Sequence, residues 1–182
     1  MGGMARTADP DLLGAVASAV AGDDLAFERI VVAHHEDMRR VCVVMCHDDE
    51  IAEEAVQSAW AVAWRKLDTL QDPARLRPWL VSVAVNEAKQ LLRKLGRRSQ
   101  LEADADASRV AAGPDPASAA DSLDLRRALA HLDADDRALL AMRYVAGFDA
   151  TELSSAIGLS PSGTRNRLER LLARLRRELG DD

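Results

Sequence analysis

Apolar side chains recur at steps of three and four from Leu12 to Leu95, lose that pattern for about thirty residues, and resume it at Leu125. That is the rhythm of helices that each bury one face. Alanine and leucine are plentiful and aromatic residues make up only 3% of the chain, a composition that also favours helix. The expected fold is all-α: two small helical domains joined by a flexible linker.

The first stripe, Leu12, Leu13, Val16 and Val20, predicts a helix over 11–21 that Gly22 ends. A second helix carries Phe27, Ile30, Val31, Met38, Val41, Cys42 and Met45, and stops near His47–Asp49. From Glu50 the apolar set runs from Ile51 to Leu67 and predicts a third helix with an acidic opening. After the loop TLQDPARLR, Pro78 suits the first position of a fourth helix striped by Leu80, Val83, Ala84, Leu91 and Leu95. Residues 10–98 thus read as one domain.

Beyond Arg98 the stripe disappears. Residues 99–122 hold two prolines, a glycine, small residues and acids, the composition of a flexible acidic tether. Residues 123–179 then read as a second domain. Leu125, Leu129 and Leu132 mark a short helix, and residues 137–145 another. Asp149 and Glu152 have capping-box spacing and open a helix over 151–157, which Gly158 breaks. Ser160 caps the last helix, Pro161 fits its first position, and Leu168, Leu171, Leu172, Leu175 and Leu179 line its buried side.

Charge is distributed unevenly. Residues 65–98 carry net +6 and residues 160–177 net +5, in a chain of net −6. Two basic segments among acidic ones let a chain meet nucleic acid at two places and repel it elsewhere. No apolar run approaches the ~20 residues of a membrane span, and the N-terminus lacks the basic-then-apolar order of a signal peptide. The expected compartment is the cytoplasm, with no membrane insertion. Cys42 and Cys46 alone make no disulfide framework. They share an apolar helical face with His34, where cysteine acts as a small hydrophobe, so neither a metal nor a cofactor is expected. Acids such as Asp48, Asp49 and Glu50 lack a partner base, nucleophile or phosphate loop, so no catalytic site and no enzyme is expected.

A short helix, a turn at Gly158 and a second helix form a helix-turn-helix, whose second helix enters the major groove of DNA. With Leu168 and Leu172 inward, Arg165, Asn166, Glu169 and Arg170 fall on the opposite side. Arginine pairs bidentately with guanine and asparagine with adenine, so these residues suit base reading. Arg167, Arg174, Arg176 and Arg177 are placed for phosphates.

The first domain adds a family resemblance. Its Ile51-Ala52-Glu53-Glu54-Ala55-Val56-Gln57-Ser58 run resembles the clamp-binding helix of extracytoplasmic-function (group 4) sigma factors. Trp79-Leu80-Val81-Ser82-Val83-Ala84-Val85-Asn86 resembles that family's Trp-Leu-x-x-Ile-Ala-x-Asn segment, and residues 123–179 resemble its region 4. Ile51, Gln90 and Ser58 depart from acids common in the family, Thr164 from valine and Ser162 from glycine.

The resemblance implies a promoter-specificity subunit of bacterial RNA polymerase. Glu53, Glu54 and Gln57 would meet the β′ clamp of the polymerase core, whose β flap is a further partner. The loop Gln71–Arg77 would capture a flipped base of the −10 element. Asn86 would hold its upstream edge, with Arg75, Arg77, Arg93, Lys94, Arg97 and Arg98 on the backbone. Region 4 would hold the −35 element through Ser160, Ser162, Arg165, Asn166, Arg167, Glu169, Arg170 and Arg174. Partners are then the polymerase core, promoter DNA and an anti-sigma factor. Two other readings stay open: a dimeric helix-turn-helix regulator, which leaves residues 50–98 without employment, and a sigma-like interaction protein that binds polymerase without initiating.

Overall fold

The computed structural model describes residues 10–103, 125 and 127–180. The predicted tether lies outside the described residues from position 104 onward. Helices α1 (Pro10–Val20), α2 (Asp24–Cys46), α3 (Asp49–Lys66) and α4 (Leu76–Ala103) build the first domain. A helical turn at residues 127–130, then α5 (Ala134–Leu140), α6 (Ala150–Ile157) and α7 (Pro161–Leu179), build the second. No strand occurs among the described residues.

Local chemistry sets the helix ends. Asp23 accepts from the Leu25 and Ala26 amides at the start of α2, and Asp48 accepts from the Ile51 amide at the start of α3. Between them His47 takes the left-handed conformation (φ 55°) and its N–H reaches the Val43 carbonyl, so α2 turns into α3 within two residues. Helices α2, α3 and α4 pack together, with α1 laid on α2. Ile30, Met38, Val41, Met45, Val56, Leu80 and Val81 are fully buried between them. The side of α3 facing this core is alanine at 52, 55, 59 and 63, which permits close helix approach.

Several expected boundaries shift. Helix α4 starts at Leu76, not Pro78, because a short 3₁₀ turn over Pro73–Arg75 feeds straight into it. Pro78 still sits in the first turn, where its missing N–H costs no helix bond. The same helix runs to Ala103, into the stretch expected to be tether, since residues 97–103 contain neither proline nor glycine. Helix α5 begins at Ala134, capped by Asp133, and continues as a π-helical turn over Ala141–Val145. Four residues of the expected apolar stripes, Val20, Leu95, Leu125 and Leu179, are exposed. Val20 and Leu179 are terminal residues of their helices, and the 28-residue α4 outruns the 18-residue α3 packed on it.

The second domain closes over Leu139, Met142, Phe148 and Leu153, with Leu171 and Leu175 of α7 completing its core. The two domains also pack on each other: α5 and its π-helical extension rest on α2, and α5 and α6 touch α4.

Candidate nucleic-acid interface

The helix-turn-helix is held at both ends of its turn. Asp149 accepts from the Thr151 and Glu152 amides at 2.7 and 2.8 Å, and Glu152 accepts from the Asp149 amide at 2.8 Å, a complete capping box for α6. Gly158 ends α6 at φ 69°, a conformation that suits glycine. Two residues on, Ser160 Oγ accepts from the Gly163 amide at 3.1 Å and Pro161 opens α7. Buried Thr164 donates to the Ser160 carbonyl at 3.0 Å and lies 3.3 Å from Ser154 Oγ, so α6 and α7 are tied by hydroxyls.

On α7 the residues expected to read bases, Arg165, Asn166, Glu169 and Arg170, are all exposed, and the last three line one shallow depression. Ser160 and Ser162 are exposed at its N-terminus with their hydroxyls 3.2 Å apart. Two of the four arginines expected on phosphates are engaged within the domain. Arg167 donates twice to Asp136, at 2.8 and 2.6 Å, and Arg174 donates to Glu178 at 2.8 Å and to the His131 carbonyl at 3.4 Å.

In the first domain the loop before α4 is shaped by its own bonds. Thr69 donates to the Lys66 carbonyl at 2.7 Å, and Asp72 accepts from the Ala74 amide at 3.0 Å. Gln71, Arg75, Trp79 and Asn86 thereby line a cleft of about 530 Å³. Arg93, Lys94 and Arg97 follow, exposed along α4, while the side chain of Arg98 lies outside the described residues. Arg77 stands apart from this set. It is half-buried, donating from Nε to Asp37 at 2.7 Å and from Nη2 to the Ala146 carbonyl at 2.8 Å. Burial would raise the Asp37 carboxyl, but the bonds and charges of Arg77 and Arg40 outweigh it and hold it below the usual carboxylate range.

The acidic face of α3 forms a separate patch. Glu53, Glu54 and Gln57 line one depression together with Arg39, Asp49 and Glu50. Glu54 and Gln57 are exposed, while Glu53 is half-buried with His35 Nε2 at 3.7 Å. Trp60 and Trp64 lie away from the cleft, edge-on to Phe27 at 5.8 and 4.7 Å. Burial, followed by the charges of Cys46 and Glu53, pushes the Cys42 thiol up to about 12. Burial also takes Cys46 to about 11, against the opposing charge of Arg137. Metal binding needs the thiolate, and among the described residues no cluster of three or more His, Cys, Asp or Glu can hold an ion.

Sequence reasoning passed over Lys89. It lies one turn beyond Asn86 on α4, and its Nζ is 2.6 Å from Asp135 of the second domain. The only available signal was its place on the Asn86 face, and its partner comes from beyond the tether.

Known proteins match both halves. The Sigma-70 region 2 model covers residues 30–98 and the Sigma-70, region 4 model covers residues 122–175. The probable RNA polymerase sigma factor RfaY of Xanthomonas campestris is 32% identical over 96% of this chain, which spans only 46% of that protein's length. The ECF RNA polymerase sigma factor SigM of Mycobacterium tuberculosis is 28% identical over 98% of this chain and 88% of its own. The sigma factor RpoE of Bartonella quintana, solved in complex with the anti-sigma factor NepR, superposes with a TM-score of 0.69 at 26% identity, covering 86% of this chain and 98% of that one. With both family regions present in order on an all-helical frame, the chain belongs to the sigma-70 family, among the ECF RNA polymerase sigma factors.

Proposed function

We propose that the chain directs bacterial RNA polymerase core enzyme to specific promoters and assists DNA opening at initiation. Region 2 occupies residues 10–98 and region 4 residues 123–179, with an acidic connection over 99–122. Arg165, Asn166, Glu169 and Arg170 read −35 base edges, with Ser160 and Ser162 at the phosphates beside the helix N-terminus. Gln71 and Asn86 act on the −10 element in the cleft beside Trp79, with Arg75, Arg93, Lys94, Arg97 and Arg98 on its backbone. Glu53, Glu54 and Gln57 dock on the polymerase clamp. The chain supplies recognition and the polymerase the chemistry, so the protein itself is not an enzyme.

The observation that carries this reading is the clean exposure of four base-reading side chains on a helix whose cap and turn are fully bonded. RpoE was solved with an anti-sigma factor, and a protein of that class is the proposed regulator here. Among the described residues no helix is long and apolar enough to cross a membrane, and the proposed compartment is the cytoplasm.

The test is run-off transcription with purified core polymerase, this protein and a pool of genomic promoter fragments. Discrete transcripts that require the protein are expected. Core binding without any transcript would instead support a polymerase-binding protein that does not initiate, and specific DNA binding without polymerase would support a stand-alone regulator.

A further inference from the structure

Region 4 rests on α2 and α4 of region 2, and three of its contacts fall on α4 or on the cleft in front of it. Lys89 Nζ is 2.6 Å from Asp135 Oδ1 of α5, and the lysine side chain keeps only 19% of its exposure. Arg77, already held by Asp37, reaches the Ala146 carbonyl at 2.8 Å. Glu152, Ser155 and Ala156 of α6 form the far wall of the cleft whose near wall includes Gln71, Trp79 and Asn86.

Lys89 lies three residues after Asn86 and four before Arg93, so the three share one face of α4. An ammonium on that face beside a DNA-binding asparagine is a phosphate ligand, and here a carboxylate occupies it. The Lys89 hydrogen bond, opposed by partial burial and aided by the charges of Lys89, Arg167 and Arg93, holds the Asp135 carboxyl below its usual range. Arg93 belongs to the region 2 basic surface and Arg167 to the region 4 recognition helix. Asp135 therefore sits in the positive potential of both, the electrostatic position of a phosphate.

We propose that this packing is an autoinhibitory latch in which Asp135 stands in for promoter phosphate, so that region 2 takes up DNA only after region 4 has left it. The inference rests on the reading of the 65–98 face as a DNA surface. The two anions compete for one lysine, and α6 forms one wall of the cleft that a flipped base would enter. DNA then binds the open form alone, and its apparent affinity is reduced by the fraction of molecules that are closed.

A contact of 2.6 Å between amine and carboxylate is suited to zero-length coupling. A water-soluble carbodiimide joins Lys89 and Asp135 as an amide, taking up the released water to become a urea. In the free full-length chain, peptide mapping should find this linkage. Excess fluorescein-labelled 30-nucleotide single-stranded DNA of mixed sequence should suppress it. The purified linked protein should bind that oligonucleotide at least about fivefold more weakly than unlinked protein. Asp135→Asn should bind it at least about fivefold more tightly than the parent, whereas Glu28→Gln, with the same change of net charge on an exposed part of α2, should not. No Lys89–Asp135 linkage in the free chain, or equal binding by linked and unlinked protein, overturns the latch. If the linkage forms but neither parent nor Asp135→Asn binds the oligonucleotide, the DNA-surface reading fails and the proposal falls with it, by a different result.

Discussion

Arg77 donates to Asp37 at 2.7 Å across forty residues of sequence, joining the start of α4 to the middle of α2 at the seam between the two domains. Asp37 is 7% exposed and also pairs with Arg40. Removing one partner of a buried pair leaves a charge short of compensation, which costs about 3–5 kcal/mol. Because Arg40 remains, Arg77→Ala should lie at the lower end, about 3 kcal/mol, read as a shift in urea denaturation. A loss under about 1 kcal/mol would mean that solvent already screens the pair.

The same carboxylate sets an acid limit. Its folded pKa lies below the unfolded value of about 3.9, so on acidification the unfolded chain takes up the proton first. The pair's contribution is fully present above the unfolded value and disappears as pH falls through the folded one. Stability of the parent should therefore fall between about pH 5 and 2 more steeply than that of Asp37→Asn, measured by urea midpoints across that range. Parallel curves would remove Asp37 from the acid response.

Arg165 is exposed on α7, on the face proposed to read bases. Arg165→Ala should relax the −35 preference, costing about 1–3 kcal/mol at the base it contacts. Selection from a randomised −35 library reads this directly, and an unchanged preference would move base reading to Asn166, Glu169 or Arg170.

Glu54 and Gln57 are the exposed members of the acidic depression on α3. Glu54→Lys combined with Gln57→Ala should weaken core polymerase binding at least about tenfold, or about 1.4 kcal/mol. Undiminished pull-down would place the clamp contact elsewhere on region 2.

Ser160 caps α7 through the Gly163 amide. Ser160→Ala should destabilise the chain by about 1 kcal/mol and fray the start of α7. Thermal melting and amide exchange over residues 161–164 test this, and unchanged protection there would show that Thr164 alone holds the turn.

Much of this molecule was legible along the chain because the signals are local. The capping box at Asp149, the left-handed Gly158 and the Ser160–Pro161 start each act within four residues, and each folds as its spacing predicts. The exposed face of Arg165, Asn166, Glu169 and Arg170 follows from helical period alone. What the sequence leaves out is the partner of each cation. Arg77 and Arg167, expected on DNA backbone, pair here with Asp37 and Asp136, forty and thirty-one residues upstream. An arginine's charge is visible in sequence, but its partner is chosen by packing between distant helices. The pairing of Lys89 with Asp135 goes further, because it exists only once two domains from either side of the tether have come together. Sequence by itself therefore determined the helices, their caps and the face each presents, since those depend on neighbours three and four residues away. Tertiary structure alone decided which cations are paired and what walls the cleft before α4, because both depend on where one helical domain settles against the other.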